Sequence, residues 1–172
     1  MDAGIFVTPF GDQGIIEQPL FYEEMLIYAH LDHPLLQQRH IQVIDMNSPD
    51  IWLLNDGHCF RSQVINLCAI SPERRQELPF DLEGGSLETL MRIIRREGGF
   101  TIIPELTANE LWVNEAAHIA RFSDQKPLRE VSLCYSRNYV KYKLLQSLAD
   151  VISEAVPSAM LDGKRGDLVT WK

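Results

Sequence analysis

Strand-like apolar runs alternate with helix-like amphipathic runs along this chain, and that alternation restricts the fold more than any other feature. Ala3-Gly4-Ile5-Phe6-Val7-Thr8 reads as a buried strand, short and apolar on both faces. Pro19 to Phe21 and Met25 to His30 read as two more strands, separated by Tyr22-Glu23-Glu24. Asp32-His33-Pro34 is a turn, and Ile51 to Leu54 a short strand. Asn55-Asp56-Gly57 is a strong turn signal that offers two helix caps. His58 to Ala69 then fits a helix whose apolar positions are Phe60, Val64, Ile65, Leu67 and Cys68. Ile70 to Asp81, charged and proline-containing, reads as a loop ending in a short strand near Phe80.

The second half repeats the alternation. Ser86 is the expected N-cap of a helix from Leu87 to Arg96, with Glu88 suiting its positive end, Arg95 and Arg96 its negative end, and Gly98-Gly99 stopping it. Phe100 to Ile103 is a buried strand ended by Pro104. A short helix is expected over Leu106 to Asn114, and short strands over Ile119 to Phe122 and Val131 to Tyr135. Asn138 to Val156 is the longest amphipathic helix, with Val140, Leu144, Leu145, Leu148, Val151, Ile152 and Ala155 on one broad face. From residue 157 onward the chain is polar and glycine-containing, and reads as a frayed tail. The whole pattern predicts an α/β fold with mostly parallel pairing.

Composition narrows the class. At 172 residues the chain suits one ordinary domain or two small lobes. A net charge of −8 argues against a nucleic-acid surface, because phosphate binding wants clustered Lys and Arg. No apolar run approaches the roughly 18–20 residues that span a bilayer. Met1-Asp2-Ala3-Gly4 lacks the basic start of a signal peptide. Three cysteines suit no secreted disulfide framework, so a reducing cytoplasm is expected. Beginning inside a strand, the chain reads as a fragment of something longer.

Two cysteines stand out. Cys59 falls at the start of a predicted helix, where free N–H groups and about half a positive charge favour a thiolate. His58 and Arg61 add positive character, lowering the thiol below its usual pKa of about 8.5. A thiolate is the form that attacks a peroxide and yields a sulfenic acid, for which Cys68 offers a second thiol. Nine residues of helix, however, separate the two by about 13.5 Å and half a turn, whereas a disulfide needs Cα atoms within about 7 Å. Any bridge between them requires the helix to melt, a bistable arrangement of the kind a sensor uses. Cys68 beside Ile65 equally fits a small buried hydrophobe, and so does Cys134 inside its strand. His30, His33 and His40 lack the spacing of a metal site and read as loop residues.

The stretch from Asn55 through His58-Cys59-Phe60-Arg61 to Cys68 resembles the redox segment of the OxyR peroxide sensors, a group of LysR-type transcriptional regulators. Pro19-Leu20-Phe21 with Asp32-His33-Pro34-Leu35 resembles the lobe crossover of LysR-type effector domains. Ser86 to Leu90 and Gly99 to Pro104 match the helix and strand that follow the redox loop, and Arg129 before Val131 to Tyr135 matches the return strand. The resemblance implies an α/β, two-lobed fold like that of periplasmic binding proteins, with the N-terminal part of the first lobe missing. Residues 1–23 and 128–156 are then what remains of the first lobe, 24–127 form the second, and 157–172 the flexible tail.

It also implies chemistry. Cys59 is expected to be the peroxidatic thiol and Cys68 the resolving one, with His58 and Arg129 supporting the thiolate or polarising the peroxide. Hydrogen peroxide is the expected signal, with no cofactor, no metal and no enzymatic turnover. The regulatory domains are expected to form a homodimer or tetramer; DNA is reached only through a winged helix-turn-helix absent here, and RNA polymerase is the parent protein's partner. No contact with membrane is expected. An effector domain that binds a small metabolite between its lobes is the alternative, but it leaves Cys59 and Cys68 without a role.

Overall fold

The structure, a computed structural model, describes residues 3–9, 11–55, 59–70, 85–111, 113–138 and 141–169. The chain divides into two compact units: Met1–Glu24 with Pro127–Lys172, and Met25–Lys126.

In the first unit, β1 (Ala3–Thr8) and β2 (Ile15–Ala29, which continues into the second unit) flank β5 (Pro127–Ser136). Both pairings are antiparallel, with Gly4 opposite Cys134 and Glu23 opposite Arg129. A register shift between Pro19 and Phe21 accommodates Pro19 within the ladder, where a proline removes a donor. Helix α5 (Tyr142–Ala155) packs only Leu145 and Ala149 to full burial. The apolar face expected across the whole helix is therefore narrower than its sequence suggests. Leu144 and Val151 are each 62% exposed and Leu148 43%, because one stripe at i and i+4 suffices to cover this packing surface.

The expected frayed tail is instead ordered through residue 169. Short 3₁₀ turns at Ser158–Leu161 and Gly163–Arg165 lead to β6 (Asp167–Leu168), which pairs parallel with Pro127 and Leu128. Met160 is fully buried, Arg165 Nη2 donates to the Tyr22 carbonyl at 2.8 Å, and Val169 N donates to the Leu128 carbonyl at 2.9 Å. One apolar anchor and main-chain pairing hold a segment whose polarity alone suggested solvent.

The second unit is built on β3 (Phe100–Pro104), buried at all five positions. It pairs antiparallel with the end of β2, whose Met25 to Ala29 are likewise buried; β4 (Ile119–Ala120) lies against the same strand. Phe100, Ile102 and Ile103 are wholly inaccessible, and each contributes roughly 1.5–3 kcal/mol of transfer free energy. The short strand expected over Ile51 to Leu54 is reduced to isolated bridge positions at Ile51, which pairs parallel with Phe100, and at Leu54. Helix α1 (Pro34–Gln37) is capped by His33, and α2 (Cys59–Leu67) precedes α3 (Leu87–Glu97). In α3, Ser86 Oγ accepts from Thr89 N at 3.2 Å, Glu88 pairs with Arg92 at 2.6 Å, and Leu90, Met91 and Ile94 are buried. Gly98 closes the helix at φ +90°, and Gly99 follows at +85° against the Asp50 carbonyl and the Trp52 ring. Helix α4 (Glu105–Glu110) is shorter than expected, its continuation being a 3₁₀ segment over Val113–His118.

Two further expectations are corrected. Tyr22-Glu23-Glu24 do not interrupt a strand: β2 is continuous through them, and Glu23 is 2% exposed because Arg129 faces it from β5. Pairing is mostly antiparallel rather than parallel among the described residues, β5 with β6 and the Ile51 bridge being the parallel cases. Accordingly β1 is not covered on both faces, and Ile5 is 51% exposed. Asp56, Gly57, His58 and residues 71–84, on which most of the expected Ile70–Asp81 loop falls, lie outside the described residues.

Candidate functional site

Helix α2 begins at Cys59, and Cys68 follows its last residue. Phe60, Val64, Leu67 and Cys68 recur at helical spacing and are all buried, with Ile65 beside them. Arg61, also buried, donates from Nη1 to the Leu54 carbonyl at 2.8 Å, tying the first turn of the helix to the chain before it. Cys59 is the first residue of α2, at the positive end of the helix dipole. Its side chain, like His58, lies outside the described residues.

The other end is closed by Cys68. Its N–H donates to the Val64 carbonyl at 2.9 Å; Ala69 N then donates to Asn66 O at 3.3 Å and Ile70 N to Ile65 O at 3.1 Å. This is a Schellman closure, with Ala69 in the left-handed position at φ +48°. Glycine normally occupies that place, since a Cβ there crowds the following carbonyl. Cys68 itself is 1% exposed and unbridged, and burial pushes its thiol pKa up to about 12. Helical backbone runs unbroken from Cys59 to Cys68, so their Cα atoms stand about 13.5 Å apart along the axis, beyond the roughly 7 Å a disulfide spans.

Arg129 belongs to the other unit. Its Nε and Nη2 donate to the same oxygen of Glu23, Oε1, at 2.8 and 2.5 Å. Cys134, opposite Gly4 and Glu17 in the sheet, is 4% exposed; burial, then the charges of Glu17 and Glu130, raise its pKa. His33 accepts from Leu35 N through Nδ1 and donates through Nε2 to Asp50 at 2.8 Å, a capping role. Among the described residues no group of His, Cys, Asp and Glu is placed to hold a metal ion. A cavity of about 630 Å³ in the second unit is lined by Tyr28, Arg92 and Arg95, whose guanidinium groups are already paired with Glu88 and Glu115.

Glu23 and Ala69 were not singled out in the sequence. Glu23 reads there as a strand break, and the one local hint was a charged pair, Glu23-Glu24, between two apolar runs. Nothing local marks Ala69 as left-handed.

A mixed α/β chain with this element order matches the family described as LysR substrate binding domain over residues 1–157, and the chain belongs to that family. Its members share a two-lobed fold like that of periplasmic binding proteins. The chain's relatives include OxyR regulators and hydrogen peroxide-inducible genes activators. The reduced OxyR of Porphyromonas gingivalis superposes with a TM-score of 0.84 at 32% identity, covering 98% of this chain and 77% of that one. The hydrogen peroxide-inducible genes activator of Haemophilus influenzae is 29% identical over 164 residues, 95% of this chain and 53% of its own length. The OxyR dual regulator of Escherichia coli K12 is 26% identical over 163 residues, 95% of this chain and 51% of its own length. The chain thus spans about half the length of the curated relatives it matches.

Proposed function

We propose that this chain is the peroxide-sensing part of a transcriptional regulator and that α2 is its switch. The Cys59 thiolate attacks one oxygen of hydrogen peroxide and the O–O bond breaks. Sulfur is oxidised by two electrons to the sulfenic acid, and the departing hydroxide takes up a proton to leave as water. The Cys68 thiol, losing its proton, then attacks that sulfur; the S–O bond breaks, a second water leaves, and a disulfide remains. His58 and Arg129 support the thiolate or polarise the peroxide.

The observation that carries the reading is Cys68 as the buried cap of an intact α2. In this state the second thiol is too far from Cys59 and, with its pKa pushed up to about 12, too firmly protonated to attack. Melting the C-terminal turns of α2 removes both barriers together. Oxidation therefore drags Val64, Ile65 and Leu67 out of their burial, and the packing change is the signal. The chain signals without turnover, in the cytoplasm, through a dimer or tetramer. DNA and RNA polymerase are engaged by parts of the parent protein outside this chain. The test is trapping with dimedone in Cys68→Ser after equimolar peroxide. A single adduct on Cys59 is expected, and its absence contradicts the proposal.

A further inference from the structure

We infer that the cavity between α3, α4 and the end of β2 binds an uncharged small molecule with an apolar body and a carbonyl oxygen, which accepts a hydrogen bond from the Tyr28 hydroxyl. The cavity holds about 630 Å³, within the range of roughly 300–1,000 Å³ typical of small-molecule sites. Its described lining falls within Met25–Lys126, so the site is internal to the second unit. It uses neither cysteine and stands apart from the peroxide chemistry.

Tyr28 carries the inference. It lines the cavity and is wholly inaccessible, so it forms the inner end, while the exposed Glu88, Arg92 and Glu110 form the mouth. The ring is held in place by the sheet, where Tyr28 pairs with Thr101 and Ile119, and by stacking on His118 at 5.2 Å. Its hydroxyl is buried and has no hydrogen-bond partner among the described residues. A buried O–H without an acceptor is costly, and native cores rarely leave one. Burial raises the Tyr28 pKa, with Arg95 partly opposing it, so the group stays protonated and donates. Arg95, whose charge acts on this hydroxyl, is part of the cavity wall, so that end of the ring faces the cavity.

The charges on the wall set the class of ligand. Arg92 pairs with Glu88 and Arg95 with Glu115, so both guanidinium groups are already neutralised. Glu110 adds a further negative charge, which opposes an anion. A cation is drawn to the mouth but brings no acceptor to Tyr28. Leu87, Met91 and Leu111 supply apolar wall for the body of the molecule. A neutral carbonyl compound satisfies the hydroxyl without placing an unpaired charge against that wall.

The test titrates the isotope-labelled full chain, under reducing conditions, with acetophenone, benzoate and benzylammonium, monosubstituted benzenes of similar size that differ in charge. Backbone amide shifts in NMR spectra report which residues each probe meets. Acetophenone should move the amides of Tyr28 and Met91 saturably, with a Kd about fivefold or more below those of the two charged probes. Tyr28→Phe keeps the ring and should weaken acetophenone about fivefold or more. The same variant should melt at the temperature of the parent or above it, because it removes a hydroxyl without a partner. Benzoate or benzylammonium binding as tightly as acetophenone overturns the neutral class of ligand. Acetophenone binding undiminished in Tyr28→Phe overturns the role of the hydroxyl. The absence of any saturable shift at Tyr28 and Met91 means a cavity that holds only water, and overturns the site. A lowered melting temperature for Tyr28→Phe means that the hydroxyl already has a partner, and overturns the inference as well.

Discussion

The Cys68 amide donates to the Val64 carbonyl at 2.9 Å, so the second cysteine of the pair closes the helix that the first one opens. Its thiol is buried by the same closure. The stability of α2 and the reactivity of Cys68 are thus one property, and conditions that weaken the closure should expose the thiol.

Ala69 is the weak point of that closure. It is the one described non-glycine residue with positive φ, at +48°. Replacing it with glycine removes the Cβ from a left-handed position and should stabilise the chain by about 0.5–1 kcal/mol in urea unfolding. The same substitution should slow formation of a Cys59–Cys68 bridge after sulfenic acid has formed. A destabilised Ala69→Gly would contradict the Schellman assignment.

Alkaline pH should act through Cys68. Burial pushes its folded pKa up to about 12, above the ordinary thiol value of about 8.5, so the native state holds the proton more tightly than the unfolded chain. The stabilising contribution is complete below about pH 9 and is lost as pH rises toward 12, at up to about 1.4 kcal/mol per pH unit. Urea unfolding under reducing conditions at pH 8 and pH 10 measures it. Cys68→Val, which cannot ionise, should lose less stability over that interval than the parent; equal losses would refute the burial argument.

Gly99 marks where the second unit tolerates no side chain. A Cβ there would lie 2.5 Å from the Asp50 carbonyl oxygen and from Trp52 Nε1, at a φ of +85°. Gly99→Ala should cost at least about 2 kcal/mol by thermal unfolding, combining overpacking with backbone strain. Gly98, at φ +90° with open space around its Cα, should lose less on the same substitution.

Ser86→Ala should remove the N-cap of α3, whose hydroxyl accepts from Thr89 N at 3.2 Å, and cost about 1 kcal/mol in chemical denaturation. A neutral result would mean that the first turn of α3 is held by packing of Leu90 alone.

How far the sequence can be read follows from where its information lies. Helix α3 was legible because Ser86, Glu88 and Gly98 act within a turn of the elements they delimit. The course of α2 was legible from the spacing of Phe60, Val64, Leu67 and Cys68 for the same reason. The continuity of β2 was not, since the group that makes Glu23 acceptable in a strand comes from Arg129, 106 positions away. Strand direction failed too: an apolar run such as Ala3–Thr8 looks alike in a parallel and an antiparallel ladder. The docking of residues 158–169 hangs on Met160 and on main-chain hydrogen bonds that composition does not encode.

Cys59 and Cys68 can form a disulfide only if α2 comes apart, and disulfide mapping by mass spectrometry reads this out. After equimolar hydrogen peroxide, the expected result is a Cys59–Cys68 bridge, Cys134 left as a free thiol, and loss of amide protection across Phe60 to Leu67 in the same sample. A Cys59–Cys134 bridge, or a Cys59–Cys68 bridge with α2 protection intact, would contradict it.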